Sequence, residues 1–278
     1  MLRIRLMTVA DLPLGMRLKD QAGWNQTEAD WRRLLDLEPD GCFVAELDGL
    51  PVGTTATCVF GSVAWVAMVL VDGAVRGRGI GRALMSHALA FLDSRGVRCT
   101  RLDATPLGRP IYQKLGFVGQ YELARYEGVL PQSDPVAGVE PVRPDQFSRL
   151  LQLDREITGT DRGKLLHRLY EERPGDMVVV QGGGDVAGYL TARAGSRAFH
   201  IGPCLARAGA GPPLFAAACH RYAGRPVVMD IPQSNAAAVV RAGAMGLTIQ
   251  RPLWRMCRGE WVHEHIQDLW ASSGPEKG

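Results

Sequence analysis

Apolar and polar positions along the first half of the chain alternate in blocks that predict strands and helices in a regular order. Arg3 to Val9 reads as a strand, and Asp11 to Ala22 as a helix with Leu14, Met16 and Leu18 for its inner face. Thr27, followed three residues later by Asp30, resembles a capping box ahead of Trp31, Leu34 and Leu35 at helical spacing. Cys42 to Leu47 and Val52 to Phe60 flank the turn at Asp48 and Gly49, a hairpin pattern, and Val63 to Val71 reads as a more buried third strand. From Ile80 an apolar stripe of Leu84, Ala88, Phe91 and Leu92 has the period of a helix that stops at Ser94, Arg95 and Gly96. A short strand at Arg101 to Ala104 follows. Thr105 and Pro106 are read as the cap and first residue of a short helix ending at Gly116, and Phe117 to Tyr126 as a closing strand.

Leu130 to Gly138 breaks the periodicity, and the same order then starts again. Val142 and Asp145 correspond to Val9 and Asp11, and Met177 to Val180 with Val186 to Ala192 suggests a second hairpin. Phe199 to Leu205, Leu214 to Tyr222, Val227 to Ile231, Ala236 to Gly246 and Thr248 to Met256 complete the repeat. This divides the chain into a first domain at 1–130, a linker at 131–139, a second domain at 140–262 and a tail at 263–278.

Composition narrows the picture without redirecting it. A hydrophobic share of 46% over 278 residues supports ordinary cores. The net charge of +3 is small and the arginines are scattered, so no nucleic-acid partner is expected. Val63 to Val71, the longest apolar run, is about half of a bilayer span, and no membrane partner is expected either. The six cysteines lack the close pairing of a zinc site, which points to free thiols, no metal and a cytoplasmic location.

The informative segment is Arg76, Gly77, Arg78, Gly79, Ile80, Gly81, Arg82, between a buried strand and a strong helix. Three glycines let successive amides converge on one point, a helix N-terminus attracts an anion there, and three arginines add full charge. A dinucleotide fingerprint would need glycine at position 82, and a P-loop would need a Gly-Lys-Ser/Thr triplet; neither is present. A plain glycine turn into a helix would need one or two glycines and no flanking arginines.

The spacing Arg76, Gly79, Gly81 resembles the acyl-CoA signature of the GNAT superfamily of N-acyltransferases. Ile111 to Phe117, with Tyr112, is similar to that family's second motif. The resemblance implies an α/β (α+β) fold of two GNAT-like domains, each a mixed, largely antiparallel sheet flanked by helices. It implies acetyl-CoA as co-substrate, held by backbone at Val69, Leu70 and Val71 and by amides from Arg76 to Arg82, with an amide near Leu70 or Val71 facing the thioester oxygen. Such an amide would act as an oxyanion hole. It further implies Tyr112 as general acid, a role that suits a phenol because its reference pKa near 10 is close to that of a thiol, near 8.5. Thr105 departs from the family's frequent Asn.

The strands where the family often places an acidic base hold no Asp, Glu or His. Water, or Asp103 as base or ammonium anchor, are the open alternatives. Asp103 bonded to neighbouring backbone is the competing reading. Trp24 and Asn25 sit in a loop that borders the acceptor site in the resembling family, although Trp24 also suits a hydrophobic staple. Small-molecule amines are the expected acceptors, and a non-catalytic acyl-CoA sensor is the alternative function. In the second half, Ala206 to Leu214 lacks the arginine and glycine spacing, Pro212 and Pro213 offer no N–H, and Ala242 stands at the place of Tyr112. Asp154 and Asp161 there suit either the lining of a pocket or solvent-facing helix caps. The second half therefore resembles a decayed copy, as in tandem-GNAT proteins.

Overall fold

The computed structural model of the protein describes residues 1–207 and 209–278. Ala208, within the segment compared above with the glycine loop, lies outside the described residues. The first half runs β1 (Leu2–Leu6), α1 (Leu12–Gln21), α2 (Glu28–Leu37), β2 (Cys42–Leu47), β3 (Leu50–Phe60), β4 (Val63–Val71), α3 (Ile80–Ser94), β5 (Cys99–Ala104), α4 (Arg109–Gln113) and β6 (Val118–Val129). The second half repeats it as β7 (Val139–Pro141), α5 (Phe147–Thr158), α6 (Gly163–Glu172), β8 (Val178–Gly182), β9 (Asp185–Arg193), β10 (Phe199–Ala206), α7 (Gly211–Arg221), β11 (Pro226–Pro232), α8 (Ala236–Ala244) and β12 (Thr248–Gly259). A last strand, β13 (Leu269–Ala271), has no counterpart in the first half.

All strands belong to one mixed, mostly antiparallel sheet in the order β1-β2-β3-β4-β5-β12-β6-β11-β10-β9-β8-β7, with β13 attached to β10. The halves are interleaved. β12 of the second half fills the place beside β5, and β6 of the first half lies between β12 and β11. Each closing strand thus has hydrogen-bonding neighbours on both sides, and β1 and β7 stand at the two ends of the strand order. A shared core supports the same union: Trp31, Leu34 and Trp65 of the first half belong to one buried cluster with Leu150, Leu165 and Leu166 of the second.

Local signals place most elements where the pattern predicts them. Thr27 and Asp30 form the expected reciprocal cap at the start of α2. The short helix α4 is a correction: it begins at Arg109, because Thr105 to Gly108 form a turn in which the Thr105 carbonyl accepts from Gly108 and Arg109 at 3.0 Å. Pro106 therefore lies in that turn.

Two splays in the sheet matter for function. Parallel pairing of β4 with β5 covers only Val63, Ala64 and Trp65, after which the strands diverge. A bulge accompanies the divergence: Met68 has φ 53°, and the register against β3 shifts between Thr54 and Ala56. β10 and β11 likewise pair only at Phe199 and His200, and β10 bulges between Ile201 and Cys204. In the second half, however, the gap is filled. β13 pairs with β10 inside it, Trp270 packs edge-on against Phe215 at 5.2 Å, and a methyl at Gly211 would collide with the Trp270 ring.

Candidate active site

The open splay of the first half is a cavity of about 1010 Å³. Its walls include Val66 to Val71 of β4, Leu102 and Asp103 of β5, the loop before α3, and Tyr112 of α4. Among the described residues the edge of β4 facing β5 has no strand partner beyond Trp65, so its backbone groups are free to pair with an extended ligand. Val69, Leu70 and Val71 lie on that stretch.

At the mouth, Asp72 accepts from the Ala74 amide at 3.0 Å, and the Arg76 guanidinium donates back to the Val71 carbonyl at 3.0 Å. These bonds set the direction in which the chain leaves the sheet. Gly77 and Gly79 have φ 79° and 77°, with no heavy atom within 4 Å of where a Cβ would stand. The left-handed turns make the route glycine-dependent, and the empty space in front of them leaves room for an anion to approach the backbone. The amides of Arg76 to Gly79 meet no acceptor among the described residues. Those of Ile80, Gly81 and Arg82 open α3, where a helix offers them no intrahelical partner. Arg76, Gly77, Gly79, Ile80, Gly81 and Arg82 border the cavity, whereas Arg78 does not.

Because left-handed backbone strains any residue with a Cβ by about 1–2 kcal/mol, Gly79→Ala is expected to weaken CoA binding about tenfold in calorimetry. Gly61, with φ 64° and equally open surroundings in the β3–β4 turn, is the control: Gly61→Ala carries the same strain and should leave CoA affinity unchanged. Equal losses in both variants would remove the loop from coenzyme binding.

Tyr112 is half-buried, its ring 6.1 Å from that of Phe117, and its hydroxyl has no hydrogen-bond partner among the described residues. Burial pushes the phenol up to about 12. Taken against a thiol in water, that gap would oppose proton transfer. The same burial acts on thiols, however: Cys42 and Cys58, inside this half, are also pushed up to about 12. Cys42 and Cys58 belong to the core and do not line the cavity, so they show the direction of the effect on a buried thiol and set no value for a leaving one.

Asp103 borders the cavity, but its carboxylate is held by both forks of Arg255 from β12, at 2.8 and 3.0 Å, and its side chain is fully buried. Burial pushes the Asp103 carboxyl above its ordinary value, with the Arg255 charge opposing. Arg255 lies over the Trp65 ring at 4.5 Å and also reaches Tyr121 and Glu264. Trp24 borders the cavity. Asn25 does not: it is buried, its amide donates to the Ala198 carbonyl and its oxygen accepts from Arg197 and Ala198, tying the α1–α2 loop to the second half. In the second half Asp154 is buried against Arg162 and Tyr189, and Asp161 accepts from the Gly163 amide at the start of α6.

Four lining residues come from the second half, where the pattern reading placed no part of this site: Arg251 and Leu253 of β12, and Pro275 and Glu276 beyond β13. No periodicity or motif marks them, and they reach the cavity only because β12 and the chain's last residues cross into the first half. Among the described residues, no helix is long and apolar enough to cross a membrane.

Comparison with known proteins agrees with this geometry. Residues 38–119 and 150–271 each match a family described as an acetyltransferase (GNAT) domain. A holothin acyltransferase of Pseudoalteromonas sp. (strain SANK 73390) is 27% identical over 241 residues, covering 85% of this chain and 81% of that protein. An uncharacterized N-acetyltransferase, YitH of Bacillus subtilis (strain 168), is 25% identical over 179 residues, 63% of this chain and 62% of that one. Among solved structures, a putative acetyltransferase of Pyrococcus horikoshii shares the fold over 100% of this chain and 96% of its own, with TM-score 0.86 and 23% identity. With both halves matching acetyltransferase domains and, among the described residues, the strand splay open in the first and filled in the second, the chain is an acyltransferase of the GNAT superfamily, of the tandem type.

Proposed function

We propose that the protein moves an acyl group, acetyl by default, from acetyl-CoA directly to the amine of a small-molecule acceptor, both held together in the first-half cavity. One observation carries this reading: the free edge of β4, the open glycine loop and the Tyr112 phenol all border a single cavity. In this reading residues 1–130 hold the reacting centre and the second domain supports it.

The coenzyme supplies an activated thioester and a thiol leaving group. Amides from Arg76 to Arg82 bind its pyrophosphate, with Arg76 and Arg82 adding charge, and backbone at Val69, Leu70 and Val71 pairs with its pantetheine arm. An amide at Leu70 or Val71 is assigned to the acyl oxygen, where negative charge grows as the amine attacks. Tyr112 donates a proton toward the departing sulfur. Removal of the amine's proton is assigned to water, since Arg255 engages both Asp103 oxygens. The six free, buried cysteines suit a reducing, cytoplasmic setting and leave direct transfer without a thiol intermediate as the route.

The relative named for holothin makes holothin the first acceptor to try. Purified full-length protein should release free thiol from acetyl-CoA with holothin or another member of a panel of small amines. Binding of CoA without thiol release for any amine would overturn the proposal in favour of a sensor.

A further inference from the structure

Three neighbouring strands carry a row of charges that does not balance. On β12, β6 and β11, the residues Arg251, Arg125 and Asp230 stand directly opposite one another. Asp230 is fully buried, and its two oxygens accept from Arg125 at 2.8 and 2.7 Å. Like charges placed opposite across a ladder repel, so with Asp230 committed to Arg125 the charge of Arg251 is left over. Glu127, the other carboxylate nearby, accepts from the Gln250 side chain.

Arg251 is half-buried, and among the described residues its guanidinium makes no hydrogen bond and no ion pair. Nε is buried without a partner, while the two Nη atoms keep accessible surface. Burial, together with the Arg125 charge, pulls Arg251 down to about 10 against the opposing pull of Asp230. Arg33, Arg125, Arg162 and Arg255, buried arginines that each hold a carboxylate, are all raised instead.

This spare cation is reachable. Arg251 borders the first-half cavity together with Leu253, two residues further along the same face of β12. It also borders a second cavity of about 440 Å³, beside Asn25, Arg125, Glu127 and Gln250. Among the described residues, no other residue lines both cavities, and no residue of the glycine loop borders the second. A guanidinium with free terminal N–H groups matches a carboxylate, which accepts from two of them at once. Arg125, Arg197 and Arg251 face Asp230 and Glu127 here, an excess of one positive charge that suits a singly charged anion.

We propose that Arg251 determines acceptor specificity by binding a carboxylate carried by the acyl acceptor. The substrate class is then amino acids and other amines that bear an acid, with the amine in the first-half cavity and the acid where the two cavities meet. This assignment rests on the acyl-transfer reading for the amine, and on the unpaired guanidinium for the acid.

The test is thiol release from acetyl-CoA by full-length protein, using pairs of amines that differ by one carboxylate: glycine with methylamine, β-alanine with ethylamine, γ-aminobutyrate with propylamine, and para-(aminomethyl)benzoate with benzylamine. In at least one pair the wild type should favour the acid by about tenfold or more in kcat/KM, as expected for a hydrogen bond between charged groups. Arg251→Met should erase that preference by raising KM for the acid about ten- to a hundredfold, with CoA affinity unchanged. Its melting temperature should stay near the wild-type value, because the substitution strands no partner. Arg251→Lys keeps a charge without the two-pronged fork and should retain only part of the preference, which keeps the test decisive if Arg251→Met does not fold. No pair favouring the acid, or the full preference persisting in the folded variants, would overturn the assignment. So would a loss of CoA affinity in Arg251→Met, which would give the residue to a coenzyme phosphate. Absence of thiol release with every amine would count against the acyl-transfer reading, and calorimetric titration of the same acids into wild type and Arg251→Met would still judge Arg251: equal or undetectable binding in the two would sink it.

Discussion

Tyr112→Phe should lower kcat about a hundredfold or more while leaving CoA affinity and the melting temperature nearly unchanged. A positioned general acid contributes on the order of 10² to 10⁴ in rate, and phenylalanine keeps the ring that packs on Phe117 while removing only the proton donor. The hydroxyl has no partner among the described residues, so its removal orphans no other group. The pH profile supplies an independent check. Because burial lifts the phenol to about 12, above its ordinary value near 10, Tyr112 keeps its proton further into the alkaline range than an exposed tyrosine would. No alkaline loss of rate due to Tyr112 is expected below about pH 11. Wild-type turnover in Tyr112→Phe, measured with any amine that the protein acetylates, would take the residue out of the chemistry.

The second large effect is on stability. Arg255→Ala should lower the melting temperature by on the order of 10 °C, from a loss of about 3–5 kcal/mol. Arg255 and Asp103 are both fully buried, and the guanidinium is sandwiched at 4.5 Å from the Trp65 ring and 5.3 Å from that of Tyr121. Removing it leaves Asp103 without its bidentate partner and takes one of two arginines away from Glu264, the other being Arg101 at 3.2 Å. Uncompensated buried charge, more than lost attraction, sets the size of the effect. Asp103→Asn separates structure from catalysis: as an ion-pair member the residue should register mainly in the melting temperature, whereas a catalytic base would register mainly in kcat at unchanged stability. An unaltered melting curve for Arg255→Ala would show that β12 is not locked to β5 through this pair.

Glycine spacing, flanking arginines and the onset of an amphipathic helix are local facts, and they suffice to locate the glycine turn that leads into α3. The backbone there turns left-handed at Gly77 and Gly79, and α3 begins at Ile80 as its stripe predicts. The hairpins and the repeat are legible for the same reason: side-chain period and turn chemistry act over a few residues. The Thr105–Pro106 cap is displaced by three residues, to Gly108 and Arg109, because a turn closed by the Thr105 carbonyl competes with the helix start.

What could not be read is where each closing strand goes. β6 and β12 satisfy the pattern of a strand equally well beside either half, and the interleaved order arises from pairing between residues more than a hundred positions apart, such as Trp254 with Ala104. Asp103 was legible as a carboxylate near the cleft but not as the partner of Arg255, and Asn25 as a loop amide but not as the tie to Ala198. Residues 263–278 carry no periodicity and read as a tail, yet they close the second cleft with Trp270 and bring Glu276 to the first. Short-range backbone preference and side-chain period are written into consecutive residues. Which distant surfaces pair, which clefts stay open and which charges meet depend on burial and hydrogen bonding satisfied across the whole sheet at once.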